Sequence, residues 1–147
     1  MRYRYTQIGL TPPRPYLEVC LRSGFATTDK VFGLVDSGAD YCIFPFEMAK
    51  RLKLEFPDPD KVWKFQGTTG SLQIAYRATV EIIIVSDERP DPDFRFFAEV
   101  GFCPDFGFPD PLLGQHGFLS NFKTSIFQRE NAFEIEPYDY QEHLPIL

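Results

Sequence analysis

Leu34-Val35-Asp36-Ser37-Gly38-Ala39-Asp40 is the stretch on which the reading of this chain turns. The segment 31–35 before the acid is short and apolar throughout, which suits a central strand covered on both faces. It delivers a carboxylate straight into a bend. Asp36 is followed by a hydroxyl, by a glycine able to take unusual backbone dihedrals, and by Ala39, where a large side chain would crowd the turn. Asp, Ser and Gly are also ordinary turn formers, so the triplet gains meaning only from its surroundings. Those surroundings include a second apolar segment ending in glycine, Pro111-Leu112-Leu113-Gly114.

Outward from this turn, most apolar segments alternate with period two between Pro, Asp and Gly turn residues, so the chain is expected to be mainly β. Residues 16–22 set Leu17, Val19 and Leu21 against Glu18, Cys20 and Arg22, the pattern of a half-buried strand. Residues 62–85 hold Gly67-Thr68-Thr69-Gly70 between two extended arms and predict a long hairpin with a flexible tip. Ile74, Tyr76, Ala78, Val80, Ile82 and Ile84 are expected to line one face of its return arm. Further strands are predicted over 94–100 and, after a turn at Asn131, around Phe133 and Ile135. Phe46, Met48, Ala49 and Leu52 behind Pro45 predict a short helix. One or two helical turns are expected within 114–122. Pro and Asp mark loops around 57–60, 89–93 and 104–111.

The length of 147 residues and 17.0 kDa favours one domain over 1–147. Its core is expected at about 14–136, because the tail 137–147 has no strong pattern. With 44% apolar and 24% charged residues, disorder and fibrous architecture are poor readings. The formal charge is -6 and no long Lys/Arg cluster appears, which argues against a nucleic-acid or anionic-membrane partner. The longest aliphatic run, residues 82–85, is far too short for a transmembrane helix. Residues 1–10 lack the pattern of a secretory signal. Cys20, Cys42 and Cys103 are odd in number and widely separated, which fits a reducing cytoplasm and small buried hydrophobes better than a disulfide framework. Neither zinc spacing nor a nucleophile motif joins these cysteines to His116 or His143, so no metal or other cofactor is expected.

Both motifs in this order, with a glycine-bearing hairpin between them, resemble the retropepsin-like aspartic proteases, the single-domain relatives of retroviral protease. Arg14-Pro15-Tyr16-Leu17 looks like the family's first core strand, 31–45 like its catalytic strand and turn, and 62–80 like its flap. Leu112-Leu113-Gly114 followed by Gly117-Phe118-Leu119 resembles the second motif and the short helix after it. The resemblance implies a retropepsin-like acid protease fold, a closed barrel-like half with a flap hairpin and one or two short helices. It implies that Asp36 is the catalytic carboxylate, that Ser37 hydrogen-bonds a facing turn, and that Gly38 approaches substrate backbone. Ala39 and Gly114 would support the turn, Asp40 would bind substrate main chain, and Gly67, Thr68, Thr69 and Gly70 would close over the peptide. After Gly114 this chain carries Gln115-His116 where retroviral members usually carry Arg followed by Asp or Asn. The usual ion pair to the Asp40 position is therefore unavailable.

Chemistry supplies a separate reason to expect a homodimer. Hydrolysis by paired acids needs one carboxylate to activate water and a protonated one to polarise the carbonyl. This chain carries one such motif, so two copies of Asp36 about a twofold axis would share the site and a proton. Phe106 and Phe108 are candidates for the wall of an apolar peptide groove. The competing reading is a catalytically inactive dimeric retropepsin-like module that binds peptide or serves as a scaffold.

Overall fold

The computed structural model describes residues 1–67 and 70–138. Along the chain these form β1 (Arg2–Arg4), β2 (Tyr16–Ser23), β3 (Ala26–Thr27), β4 (Val31–Val35), β5 (Ile43–Pro45), α1 (Phe46–Arg51) and β6 (Val62–Gln66). There follow β7 (Leu72–Val85), β8 (Phe94–Cys103), β9 (Leu112–Leu113), β10 (Phe122–Phe127), a 3-10 turn (Gln128–Glu130) and β11 (Ala132–Pro137). The mainly β expectation holds. Among the described residues no helix is long and apolar enough to cross a membrane.

The larger sheet runs β3-β2-β4-β9-β5-β8-β7-β6, and β2 also pairs with β7. That second pairing closes β2-β4-β9-β5-β8-β7 into a six-stranded barrel. β2 serves two neighbours because it is long: Tyr16 to Val19 face β4, while Glu18 to Arg22 face β7. Its alternation sends Leu17, Val19 and Leu21 inward, all essentially without exposure. Val80, Ile82 and Ile84 of β7, Val100 and Phe102 of β8, Phe44 and Leu113 complete the interior. Full closure leaves these strands no free edge within the barrel.

β7 outruns the barrel, and its pattern changes where it does. Near the hairpin tip its sheet partner is β6, and Ile74 is exposed rather than lining the core face as expected. Ala75, on the opposite face, is buried there against Ile43, Trp63, Cys103 and Leu112 in a second small core. α1 is too short to persist alone. It is held by burial of Met48, Ala49 and the following Leu52, and Lys53 at φ +56° ends it.

The helical turns expected within 114–122 do not form. The N–H groups of Leu119 and Ser120 reach back to the Gly114 and Gln115 carbonyls in wide turns. Gly117 sits at φ +99°, with the Glu99 carbonyl 3.1 Å from where a Cβ would lie, so the segment cannot continue as α-helix. The second short helix is instead the 3-10 turn, closed by Asn131 at φ +50°. It links β10 to β11, which with β1 form a three-stranded sheet over Phe133 and Ile135, both fully buried.

Candidate active site

β4 is held from both sides before it reaches the turn. Its Val35 N–H donates to the Pro15 carbonyl at 2.9 Å, while the N–H groups of Leu34 and Asp36 donate to the Pro111 and Leu113 carbonyls at 2.8 and 3.0 Å. β9 thus lies parallel to β4, and on its other side Leu112 pairs antiparallel with Ile43 of β5. Residues 36–42 must cross over the end of β9 to join the two. Gly33 permits this packing, since a Cβ there would lie 2.9 Å from Leu113 Cγ.

Within the turn, the Gly38 N–H donates to Asp36 Oδ1 at 2.9 Å and the Ala39 N–H to the Asp36 carbonyl at 3.2 Å. The carboxylate is half-buried with its other oxygen free of protein hydrogen bonds among the described residues. Gly38 does not use the positive φ that its identity suggested. What its missing side chain leaves open is the space beside Asp36 Oδ1, 3.2 Å from a would-be Cβ.

Gly114 locks the turn from behind. A Cβ at this position would collide with the Tyr41 carbonyl and lie 2.6 Å from that of Ala39. The approach is close because the N–H groups of Gln115 and His116 donate to the Ala39 and Asp40 carbonyls, both at 2.9 Å. Gln115 supplies a further bond: its Nε2 donates to the Ser37 carbonyl at 2.8 Å. The Ser37 side chain is exposed, and neither its hydroxyl nor the Asp40 carboxylate has a hydrogen-bond or ion-pair partner among the described residues.

A cavity of about 380 Å³ opens beside the turn. Asp36, Gly38, Ala39 and Asp40 border it together with Tyr41, Ile43 and Leu112, the β6 residues Lys64, Phe65 and Gln66, and Phe108. Phe108 lies 6.1 Å from Phe65 in a stacked pair, and Phe106 packs behind it at 5.6 Å. The glycines of the β6–β7 hairpin do not reach this wall. Gly67 and Gly70 shape the tip, joined by a Gly70 N–H to Gly67 carbonyl bond of 3.0 Å. Thr68 and Thr69 lie outside the described residues. Lys64, Phe65, Gln66 and Tyr41 carry no motif; only the fold brings them to Asp36. A larger cleft of about 610 Å³ lies between β1 and the β7–β8 loop, but it contains no residue of either motif.

The buried cysteines offer no competing nucleophile. Burial pushes the Cys42 thiol up to about 12, and desolvation raises Cys20 and Cys103 as well. No protein-family model and no curated protein matches the chain. The chemistry of the site rests on its own geometry.

Proposed function

We propose that the chain is one half of an aspartic endopeptidase with a retropepsin-like fold, acting as a homodimer on a peptide or protein substrate. The observation that carries this reading is Asp36 itself. Its carboxylate borders a partly apolar cavity beneath the flap, on a turn fixed from behind by Gly114. The closed barrel, the crossing of residues 36–42 over β9 and the β6–β7 hairpin support the same assignment.

In the dimer, one Asp36 carboxylate takes a proton from water as the water oxygen bonds to the scissile carbonyl carbon. The other Asp36, protonated, gives its proton to the carbonyl oxygen. As the tetrahedral intermediate collapses and its C–N bond breaks, the first Asp36 gives its proton to the departing amine nitrogen while a hydroxyl of the intermediate returns one to the second Asp36. Like charges held close cannot both ionise readily, so the pair keeps the shared proton this cycle needs. Phe65, Phe108 and Leu112 would receive an apolar substrate side chain, while Asp40 and the backbone of Gly38 would engage its main chain.

Purified protein incubated with a mixed peptide library at several pH values is expected to cleave it, and Asp36→Asn to abolish cleavage without altering fold or dimer. Turnover by Asp36→Asn at the wild-type level, with contaminating protease excluded, would overturn the assignment. Peptide retention without cleavage by the wild type would favour the binding module instead.

A further inference from the structure

The root of the flap meets the catalytic turn at a charged cluster that the proposed chemistry does not use. Glu99 of β8 accepts a hydrogen bond from Arg77 Nη2 at 3.2 Å through Oε2, and its Oε1 lies 3.5 Å from His116 Nε2. Arg77 belongs to β7, and its guanidinium lies 5.6 Å from the centre of the Trp63 ring on β6. Trp63 is buried and stacks on Tyr41 at 4.1 Å with 9° between the rings. The imidazole of His116 meets Trp63 edge-on at 5.5 Å. The backbone of His116 bridges to Tyr41, and its N–H donates to the Asp40 carbonyl. Glu99 therefore connects both arms of the flap root to the turn that carries Asp36.

Arg77 is an awkward residue to keep for stability alone. Its Nε is buried with no hydrogen-bond partner among the described residues. An orphaned buried donor is unfavourable, and an apolar side chain of similar length would remove it. What an apolar side chain could not do is hold Glu99.

We propose, building on the peptidase reading, that Glu99 is a positioning residue: through Arg77 and His116 it fixes the flap root to the catalytic turn. The charged and titratable groups around His116 are Glu99 on β8, Arg77 on β7, and Tyr41 and Asp40 in the turn; Trp63 on β6 is neutral. Glu99 thus holds a side chain from each side of the site, Arg77 at the flap root and His116 at the turn.

The test is amide hydrogen exchange on the full chain carrying Asp36→Asn, which takes hydrolysis and the catalytic pair's titration out of the readout. Arg77→Met is expected to keep or raise the melting temperature, yet to speed exchange, after correction for intrinsic rates, at the Gly38, Ala39 and His116 amides by about threefold or more. Glu99→Gln should loosen the same amides together with those of the flap root. His116→Ala should loosen both regions, and His116→Gln, which keeps a donor for Glu99, should loosen them less. Phe97→Ser, on the exposed outside of the barrel, should change neither. Turn amides unmoved by Arg77→Met and Glu99→Gln would overturn the proposal, as would equal loosening by His116→Gln and His116→Ala. Since no cleavage is measured, absence of peptidase activity leaves these outcomes readable.

Discussion

Gly114 and Gly33 both stand at close contacts, yet the two should respond differently to a methyl group. At Gly33 the obstacle is the Leu113 side chain, which can rotate; at Gly114 it is the backbone carbonyls of Tyr41 and Ala39, in a turn held by the Gln115 and His116 N–H bonds to the Ala39 and Asp40 carbonyls. Overpacking ordinarily costs about 1–3 kcal/mol, and Gly114→Ala should lie at or above the top of that range with Gly33→Ala below it. Urea denaturation of the two variants measures the order, and the reverse order would show that the turn yields more easily than its hydrogen bonds suggest. Gln115 makes a subtler contribution. Gln115→Ala removes the bond to the Ser37 carbonyl at a stability loss of about 0.5–1.5 kcal/mol, with the fold intact. Its larger effect should be on turnover, because the bond steadies the residue next to Asp36. Equal kcat for wild type and Gln115→Ala would show that the backbone contacts suffice.

At the scale of elements, β1 is tied to the barrel through the β7–β8 loop by a single carboxylate. Asp93, its side chain 1% exposed, accepts bonds from Arg89 at 2.6 and 3.1 Å and from the Tyr3 hydroxyl at 2.8 Å. The Arg89 bonds, joined by that of Tyr3, hold the Asp93 carboxyl below its usual range, while burial and the neighbouring acid raise the Tyr3 phenol. A depressed carboxyl contributes stability that is fully present above the unfolded value of about 3.9 and is lost as pH falls through the folded one. Asp93→Asn is thus expected to lose roughly 1–3 kcal/mol at neutral pH, with the gap to wild type closing in acid below about pH 4. Denaturation at both pH values checks this; a constant gap would assign the effect to packing. Elements also differ in how readable they were. Val80, Ile82 and Ile84 announced their inward face by alternation alone, because a barrel strand has one interior. Ile74 follows the same alternation but lies where the flap leaves the barrel, and no periodicity marks that boundary. The helical turns expected within 114–122 fail at Gly117, whose φ of +99° and close approach to the Glu99 carbonyl, distant in sequence, no local pattern marks. Asp36, Ala39 and Gly114 were legible for the opposite reason, since their chemistry and tight packing are local to two short motifs. Lys64, Phe65 and Gln66 reach the cavity only because the hairpin folds over the turn.

For the whole molecule, the expectation is a dimer by sedimentation at concentrations where cleavage persists, since each chain supplies one Asp36. The rate should pass through a maximum between the two apparent pKa values of the pair. A flat profile from about pH 4 to 8, or activity from a strict monomer, would reject the shared-carboxylate mechanism. The slot that β9 occupies between β4 and β5 carries a consequence for how the protein is made. During synthesis β4 and β5 leave the ribosome long before Leu112 and Leu113, so the nascent site has a gap where its central strand belongs. Parallel pairing between segments so far apart in sequence is a slow event, because loop closure must precede the contacts that reward it. Asp36 is therefore without its supporting turn until late in folding, and on the proposed peptidase reading a chain that is still being synthesised would not yet cut its neighbours.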